Sequence, residues 1–292
     1  MPEPWSFELA RRHLMTSSLG TTYQHLNGNL RRVLRLNDEY FLAEFSPSLD
    51  RKRLRVTLFS KPSEDQVAEA RSIAKRIFAY DHPLRRVYRM MSRVKTLARL
   101  IPDFNGLRII QTPSVFEMVA IAIMGQQVNL TFAARVKQQL IMAYGNRIRV
   151  GSYDYFGFPS PDLISRLSLR KLRSIQFSQR KAEYLVDFAK AVVSGEVNES
   201  ALMRLSDEAI FEELSQFRGI GRWTVDMVLM RALGRLDVLP SLDVGLQKAY
   251  GLVFRCKRPT SDELLNLTSR WKGFRSYASF YIWASLTKGI SP

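Results

Sequence analysis

The residues with the most chemical promise form one run. Leu214 to Asp226 reads Leu-Ser-Gln-Phe-Arg-Gly-Ile-Gly-Arg-Trp-Thr-Val-Asp. The pattern predicts a helix ending at Phe217, a tight turn through Gly219 and Gly221, and a second helix from Arg222 with Val225, Val228 and Leu229 on its buried side. Two glycines around one apolar residue let a backbone turn sharply and approach another molecule closely. The free N–H groups of the second helix's first turn then point outward, where the macrodipole favours an anion. Ile220 plugs the gap between the helices, while Arg222 and Thr224 add a charge and a hydroxyl. An ordinary αα-turn closed by glycine would share the Gly-x-Gly. The Thr three residues after the second glycine, in a basic chain, favours a phosphate-binding hairpin instead.

Three carboxylates follow the turn. Asp226 falls within the second helix, Asp237 lies on the loop after it, and Asp243 heads the run Val244-Gly-Leu-Gln-Lys-Ala-Tyr250. Read from the residues alone, Asp243 is an N-cap that satisfies orphan N–H groups of a new helix. Those groups would also hold its carboxylate in a fixed orientation.

The elements that must position these residues differ along the chain. Leu30 to Leu36, Glu39 to Phe45 and Arg53 to Phe59 are short, β-prone and separated by turn residues. Leu54, Val56 and Leu58 alternate with polar residues, the pattern of a half-buried strand. These runs predict an antiparallel sheet. Ser63 and Gln66 have capping-box spacing, and Val67, Ala70, Ile73, Ala74 and Ile77 recur at helical period. That helix should pack on the sheet and end near Asp81-His82-Pro83.

From about residue 84 the chain reads as helices and almost nothing else. Ser114 and Glu117 start one helix, Gly125 to Asn129 breaks it, and Leu130 to Tyr144 forms the next, closed by Gly145. Further helices are predicted over 161–165, 169–175, 179–193, 207–217, 222–233, 243–250, 262–271 and 275–286. Short connections between them suit a compact bundle.

Lys and Arg number 44 against 27 Asp and Glu, a formal charge of +17 that favours a polyanionic partner. The single cysteine, Cys256, excludes an internal disulfide, a four-cysteine zinc site and a four-cysteine iron–sulfur cluster. His13, His25 and His82 lack metal-ligand spacing, so no metal is expected. No apolar run approaches the roughly 18 residues of a membrane span, and the N-terminus lacks a signal-peptide pattern. The expectation is a soluble cytoplasmic protein, associated with the nucleoid, with no membrane partner.

The hairpin and what surrounds it resemble the helix-hairpin-helix DNA glycosylases, in particular their alkylation-repair branch, 3-methyladenine DNA glycosylase II. The resemblance runs through Phe116-Glu-Met-Val, Gly125-Gln-Gln-Val128 and Gly219-Ile-Gly-Arg-Trp-Thr224. It continues in Asp237-Val-Leu-Pro-Ser-Leu-Asp243 and Trp271-Lys-Gly-Phe-Arg-Ser-Tyr277-Ala-Ser-Phe-Tyr-Ile-Trp283. It implies an α+β chain: an N-terminal antiparallel β-sheet domain (1–80), then a two-lobed, mostly helical core. One lobe holds 113–230 with the hairpin, and the other combines 81–112 with 231–292.

The resemblance also assigns roles. Asp243 matches the family's catalytic aspartate, and Asp237 matches a structural position. Gly219, Ile220, Gly221, Arg222 and Thr224 match the DNA-binding hairpin, where room for a monovalent cation is also implied. Gln127 matches the wedge that fills the gap left by a flipped base, a place where the best-known relative has leucine. Trp223 and Trp283 match the base pocket, whereas Met227, Val244 and Ala284 stand where that relative has tyrosines. Bifunctional members carry a lysine nucleophile at the position of Trp223, so no Schiff base is expected here.

The implied partner is double-stranded DNA with damaged bases, and the implied protein is a monomer that needs no cofactor. Its implied activity is monofunctional excision of 3-methyladenine and 7-methylguanine type bases. Two other readings stay open: a glycosylase for deaminated or oxidised purines such as hypoxanthine, and a non-catalytic helix-hairpin-helix DNA-binding protein.

Overall fold

The computed structural model describes residues 1–50 and 52–287. Helix α1 (Phe7–Thr16) opens the chain and a 3-10 turn (Ser18–Thr22) leads into strands β1 (Gln24–Leu26), β2 (Asn29–Leu36), β3 (Glu39–Pro47) and β4 (Leu54–Leu58). The strands form one antiparallel sheet in sequence order, with Leu30 opposite Phe45, Val33 opposite Leu42 and Leu34 opposite Phe41. Side chains alternate across a sheet, so Leu30, Leu34, Phe41 and Phe45 share one face. Helix α2 (Glu64–Ile77) covers that face with Ala70, Ala74 and Ile77.

The predicted capping box at Ser63 and Gln66 forms in full. The helix stops at Ile77 rather than near residue 82, because Phe78 caps it and Ala79 turns to φ +46°. Val67 faces solvent and Gln66 takes its place in the buried stripe.

The remainder is helical apart from one ribbon. Helices α3 (Leu84–Met91), α4 (Lys95–Leu100), α5 (Val115–Gly125) and α6 (Leu130–Tyr144) precede a short hairpin, β5 (Arg147–Val150) and β6 (Tyr153–Phe156). Then come α7 (Pro161–Ser165), α8 (Leu169–Arg173), α9 (Gln179–Ser194), α10 (Glu199–Leu202), α11 (Asp207–Ser215) and α12 (Arg222–Arg231). The chain continues with α13 (Val244–Phe254), α14 (Ser261–Leu267), a 3-10 turn (Ser269–Trp271) and α15 (Arg275–Thr287).

The β5–β6 ribbon, like α1, escapes the sequence reading. It closes the sheet's other face, where Tyr155 packs on Val33 and Leu42 and its hydroxyl accepts from Arg31 at 2.6 Å. The helices on either side of the sequence share one buried cluster that includes Val119, Ile123, Leu185, Val228, Leu246 and Tyr281.

A buried charge cluster joins the sheet to this core. Arg32 of β2 pairs with Glu117 of α5, and both side chains are nearly inaccessible. Its guanidinium also donates to Thr22 Oγ1 at 2.9 Å and lies 4.9 Å from the centre of the Tyr23 ring. Lys137 of α6 is buried beside them, its amine pushed down to about 7 by burial against the pull of Glu117. Glu117 and Lys137 sit on the two helices that flank the Gly125–Asn129 loop, so the sheet is tied to the supports of that loop.

Candidate active site

Helix α11 and helix α12 form the hairpin that the sequence pattern predicts. Gly219 adopts φ +83°, and a Cβ there would lie 2.1 Å from the Tyr184 ring, so glycine is required twice over. Gly221 is different. Its φ of −107° and ψ of −175° suit any residue. What a Cβ would meet there is open space, so this glycine keeps the approach to the helix clear rather than making the turn.

Gly221 is the N-cap of α12 and supplies no side-chain acceptor to the first turn. Its exposed face and that of Arg222 therefore offer unsatisfied N–H groups at a positive helix end. Arg222 is 56% exposed at its side chain, donates to Asp226 Oδ1 at 2.9 Å and lies against the Phe211 ring.

Ile220 is buried as the plug the sequence predicts, and its N–H donates to Phe217 O at 3.1 Å, whereas one residue expected at this surface points inward instead. Thr224 is also buried, and its hydroxyl accepts from Gln126 Nε2 at 3.2 Å, so it braces a neighbouring loop rather than meeting an anion.

That loop connects α5 to α6. Gln126 Nε2 donates to Gly219 O at 2.7 Å, while Lys181 of α9 donates to Met124 O and Gln126 O at 3.0 and 2.7 Å. The loop is thus strapped to the hairpin at its base, and its tip is Gln127. Gln127 is exposed, and its φ of +55° puts the loop tip in a left-handed conformation. The motif Gly125-Gln-Gln-Val128 contained this strap, but only the fold reveals which glutamine does the fastening.

Asp243 sits across from the hairpin at the start of α13. Its Oδ1 accepts from the Leu246 N–H at 2.6 Å, the N-cap bond that the sequence suggests. Two indoles complete the grip: Trp223 Nε1 donates to Oδ2 at 2.8 Å and Trp283 Nε1 donates to Oδ1 at 3.2 Å. Trp223, Trp283 and Asp243 are all half-buried. The carboxylate is therefore fixed by α12, α13 and α15 at once, yet keeps contact with solvent.

Gly245 makes room for it, since a Cβ there would lie 2.9 Å from Oδ1. Met227 lies buried one turn beyond Trp223, and Val244 is about half exposed at the rim. Asp237, by contrast, is engaged in a two-pronged pair with Arg275 at 2.7 and 2.9 Å, and so it anchors the loop to α15.

Sequence reasoning missed Arg231, at the end of α12. Its guanidinium lies 5.4 Å from the Phe280 ring centre and 5.9 Å from that of Trp283. Burial pushes it down to about 10, against the pull of Asp243, so it remains a cation at neutral pH. Trp223, Met227 and Arg231 thus follow one another at i, i+4 and i+8 along one face of α12. Trp223 and Arg231 both approach the α15 rings on the side where Trp283 holds the Asp243 carboxylate.

Known proteins resemble this chain in sequence and in fold. A family model described as HhH-GPD superfamily base excision DNA repair protein matches residues 120–273. A protein named DNA-3-methyladenine glycosylase from Bacillus subtilis (strain 168) is 32% identical over 292 residues, covering 98% of this chain and 95% of its own. The DNA-3-methyladenine glycosylase 1 of Schizosaccharomyces pombe is 30% identical, covering 68% of this chain and 86% of its own. Among solved structures, the 3-methyladenine DNA-glycosylase from Archaeoglobus fulgidus superposes with a TM-score of 0.85 at 25% identity, covering 99% of this chain and 97% of that one. The chain belongs to the helix-hairpin-helix superfamily of base excision DNA repair proteins.

Proposed function

We propose that this protein is a monofunctional DNA glycosylase that flips alkylated purines of the 3-methyladenine and 7-methylguanine type out of duplex DNA. It then hydrolyses their N-glycosidic bonds and leaves abasic sites. The observation that carries this reading is the Asp243 carboxylate, still partly open to solvent and clamped by the indoles of Trp283 and of Trp223, which lies in the first turn of α12 beside its open N-terminus.

The first turn of α12 receives a backbone phosphate, with Gly221 leaving the approach clear and Arg222 adding charge. A base inside the stack is out of reach, so the nucleotide is extruded and Gln127 occupies the vacated space. Gln127 brings an amide rather than an apolar wedge, and so can hydrogen-bond the orphaned partner base. The flipped base enters against Trp223 and Trp283, which places C1′ at Asp243.

When the C1′–N bond breaks, its electron pair goes to the base and positive charge develops on the sugar. A fixed carboxylate stabilises that charge without having to reorganise. Asp243 also orients water for attack, and the water's oxygen bonds to C1′ as its proton passes to the carboxylate or solvent. A base alkylated at N3 or N7 is already cationic and leaves as a neutral molecule, so no general acid is needed. With tryptophan at position 223, the hairpin supplies no amine for a Schiff base and hence no strand-cleaving step.

Met227 and Val244 supply no rings beside Trp223 and Asp243, so selection rests less on cation–π attraction and a neutral deaminated purine such as hypoxanthine is a second substrate to test. The test is a chromatographic profile of bases freed from methylated duplex DNA, with a hypoxanthine duplex alongside. Free 3-methyladenine and 7-methylguanine, intact abasic strands and no borohydride-trapped adduct are expected. Tight duplex binding without any base release would instead indicate a binding module, and a trapped adduct would contradict the monofunctional mechanism.

A further inference from the structure

The loop between α5 and α6 is fastened on both sides of its tip, while Gln127 itself borders an open cleft. The cleft measures about 260 Å³, and the buried residues Met124, Val136 and Phe177 form part of its lining. On the C-terminal side, Asn129 caps α6 by accepting from the Phe132 N–H at 2.8 Å. On the N-terminal side, Gln126 donates its N–H to Ala122 O at 3.1 Å, and its Nε2 to Gly219 O at 2.7 Å and Thr224 Oγ1 at 3.2 Å. Lys181, from α9, lines the same cleft, and its Nζ donates to Met124 O and Gln126 O at 3.0 and 2.7 Å.

We propose that Lys181 is a positioning residue for base flipping. Its amine pins the end of α5, so that Gln127 is already set for insertion when the hairpin grips the strand. The proposal rests on the role given to Gln127 above. Gly219 O, Gln126 and Lys181 form one line of bonds from the hairpin turn to the residue before the loop tip. Gln127 and Val128 are left exposed between the fastened residues Gln126 and Asn129. Lys181 is the member of this line that comes from outside both the loop and the hairpin, 55 residues from Gln126.

An amine suits this place. Met124 O and Gln126 O lie at the C-terminal end of α5, where carbonyls lack helical partners and the macrodipole favours a cation. Lys181 is partly buried, and burial pushes its amine down with no carboxylate pulling it back. Two bonds from one donor group fix Gln126 against α9, and the Gln126 carboxamide carries that fixation to Gly219 and Thr224. A tip ordered in advance does not have to be ordered when DNA binds. The loss of the amine therefore falls on the flipping step, through Gln127.

The experiment measures single-turnover release of 7-methylguanine from a duplex carrying one such lesion, by wild type, Lys181→Met, Gln127→Ala and the two changes combined. Lys181→Met should slow release by about tenfold, the effect of losing hydrogen bonds from a charged donor, and Gln127→Ala should slow it as well. The combined protein should be no slower than the slower single variant, because an amine that acts through Gln127 has nothing left to position. With the lesion opposite an abasic site, flipping is easier and the Lys181→Met deficit should shrink, whereas a damaged fold would slow both substrates alike. Lys181→Gln is measured alongside, should the apolar variant not fold. A Lys181 variant as fast as wild type, or one whose deficit multiplies with that of Gln127→Ala, would overturn the role of Lys181. Gln127→Ala as fast as wild type would reject the insertion role of Gln127, and wild type that releases no base would reject the glycosylase reading, both distinguishable outcomes.

Discussion

At the scale of single residues, the site is made by side chains whose meaning comes from partners far away in sequence. Asp243 was legible as a cap and, through the resemblance, as the catalytic candidate. Its two indole donors were visible only as pocket residues, because nothing in a sequence says which edge of a tryptophan faces a carboxylate. Thr224 shows the opposite error: a hydroxyl beside a phosphate-binding turn suggests contact, but tertiary packing turned it inward to Gln126. Arg231 carried no motif at all. Asp226 also gained its significance from packing. Burial pushes it up to about 6, against the Arg222 charge, from an ordinary value of 3.8. Folding therefore takes up a proton between those values, and the stability linked to this group is lost as pH rises from about 4 to about 6. Asp226→Asn removes the effect, so its stability relative to wild type should grow by about 2–3 kcal/mol between about pH 4 and pH 7. Urea unfolding at the two pH values measures this, and a constant difference would contradict the assignment.

At the scale of elements, helix ends were the most legible features, because caps are local chemistry. Ser63, Ser114, Asn129 and Asp243 all cap through their side chains. The β5–β6 ribbon was missed because four-residue strands carry too few positions for alternation to stand out, and its stability comes from lying on β2 and β3. The tie between sheet and helices was equally invisible. Arg32 read as one basic residue in a strand and Glu117 as a helix-starting acid, yet they pair in the interior. Removing one partner leaves an uncompensated buried charge, so Arg32→Met should cost about 3–5 kcal/mol in urea unfolding, and the double variant Arg32→Met/Glu117→Met should recover most of it. A loss below about 1 kcal/mol for the single change would show that the pair is not a structural tie. Because Glu117 belongs to α5, which leads into the Gln126–Gln127 loop, the pair ties the sheet to the helix that carries that loop.

At the scale of the whole molecule, α12 is the organising element. Its first turn leaves Gly221 and Arg222 exposed, its middle is buried, and Trp223 carries the bond to Asp243. The composition adds a positive field to this local geometry. Duplex affinity should therefore fall at least about tenfold between about 50 and 200 mM salt as counterion release weakens, and Arg222→Ala should reduce the log–log slope by about one. An affinity indifferent to salt would contradict backbone binding. In the proposed function, grip and chemistry are separate tasks of one unit, the hairpin holding the strand while the clamped carboxylate acts on the sugar. The most direct measurement is single-turnover base release from methylated duplex by Asp243→Asn, with duplex affinity determined on the same protein. Release slowed by about 10²–10³, with affinity preserved, is the expected result for the loss of a fixed charge facing the transition state. Release at the wild-type rate would contradict the account.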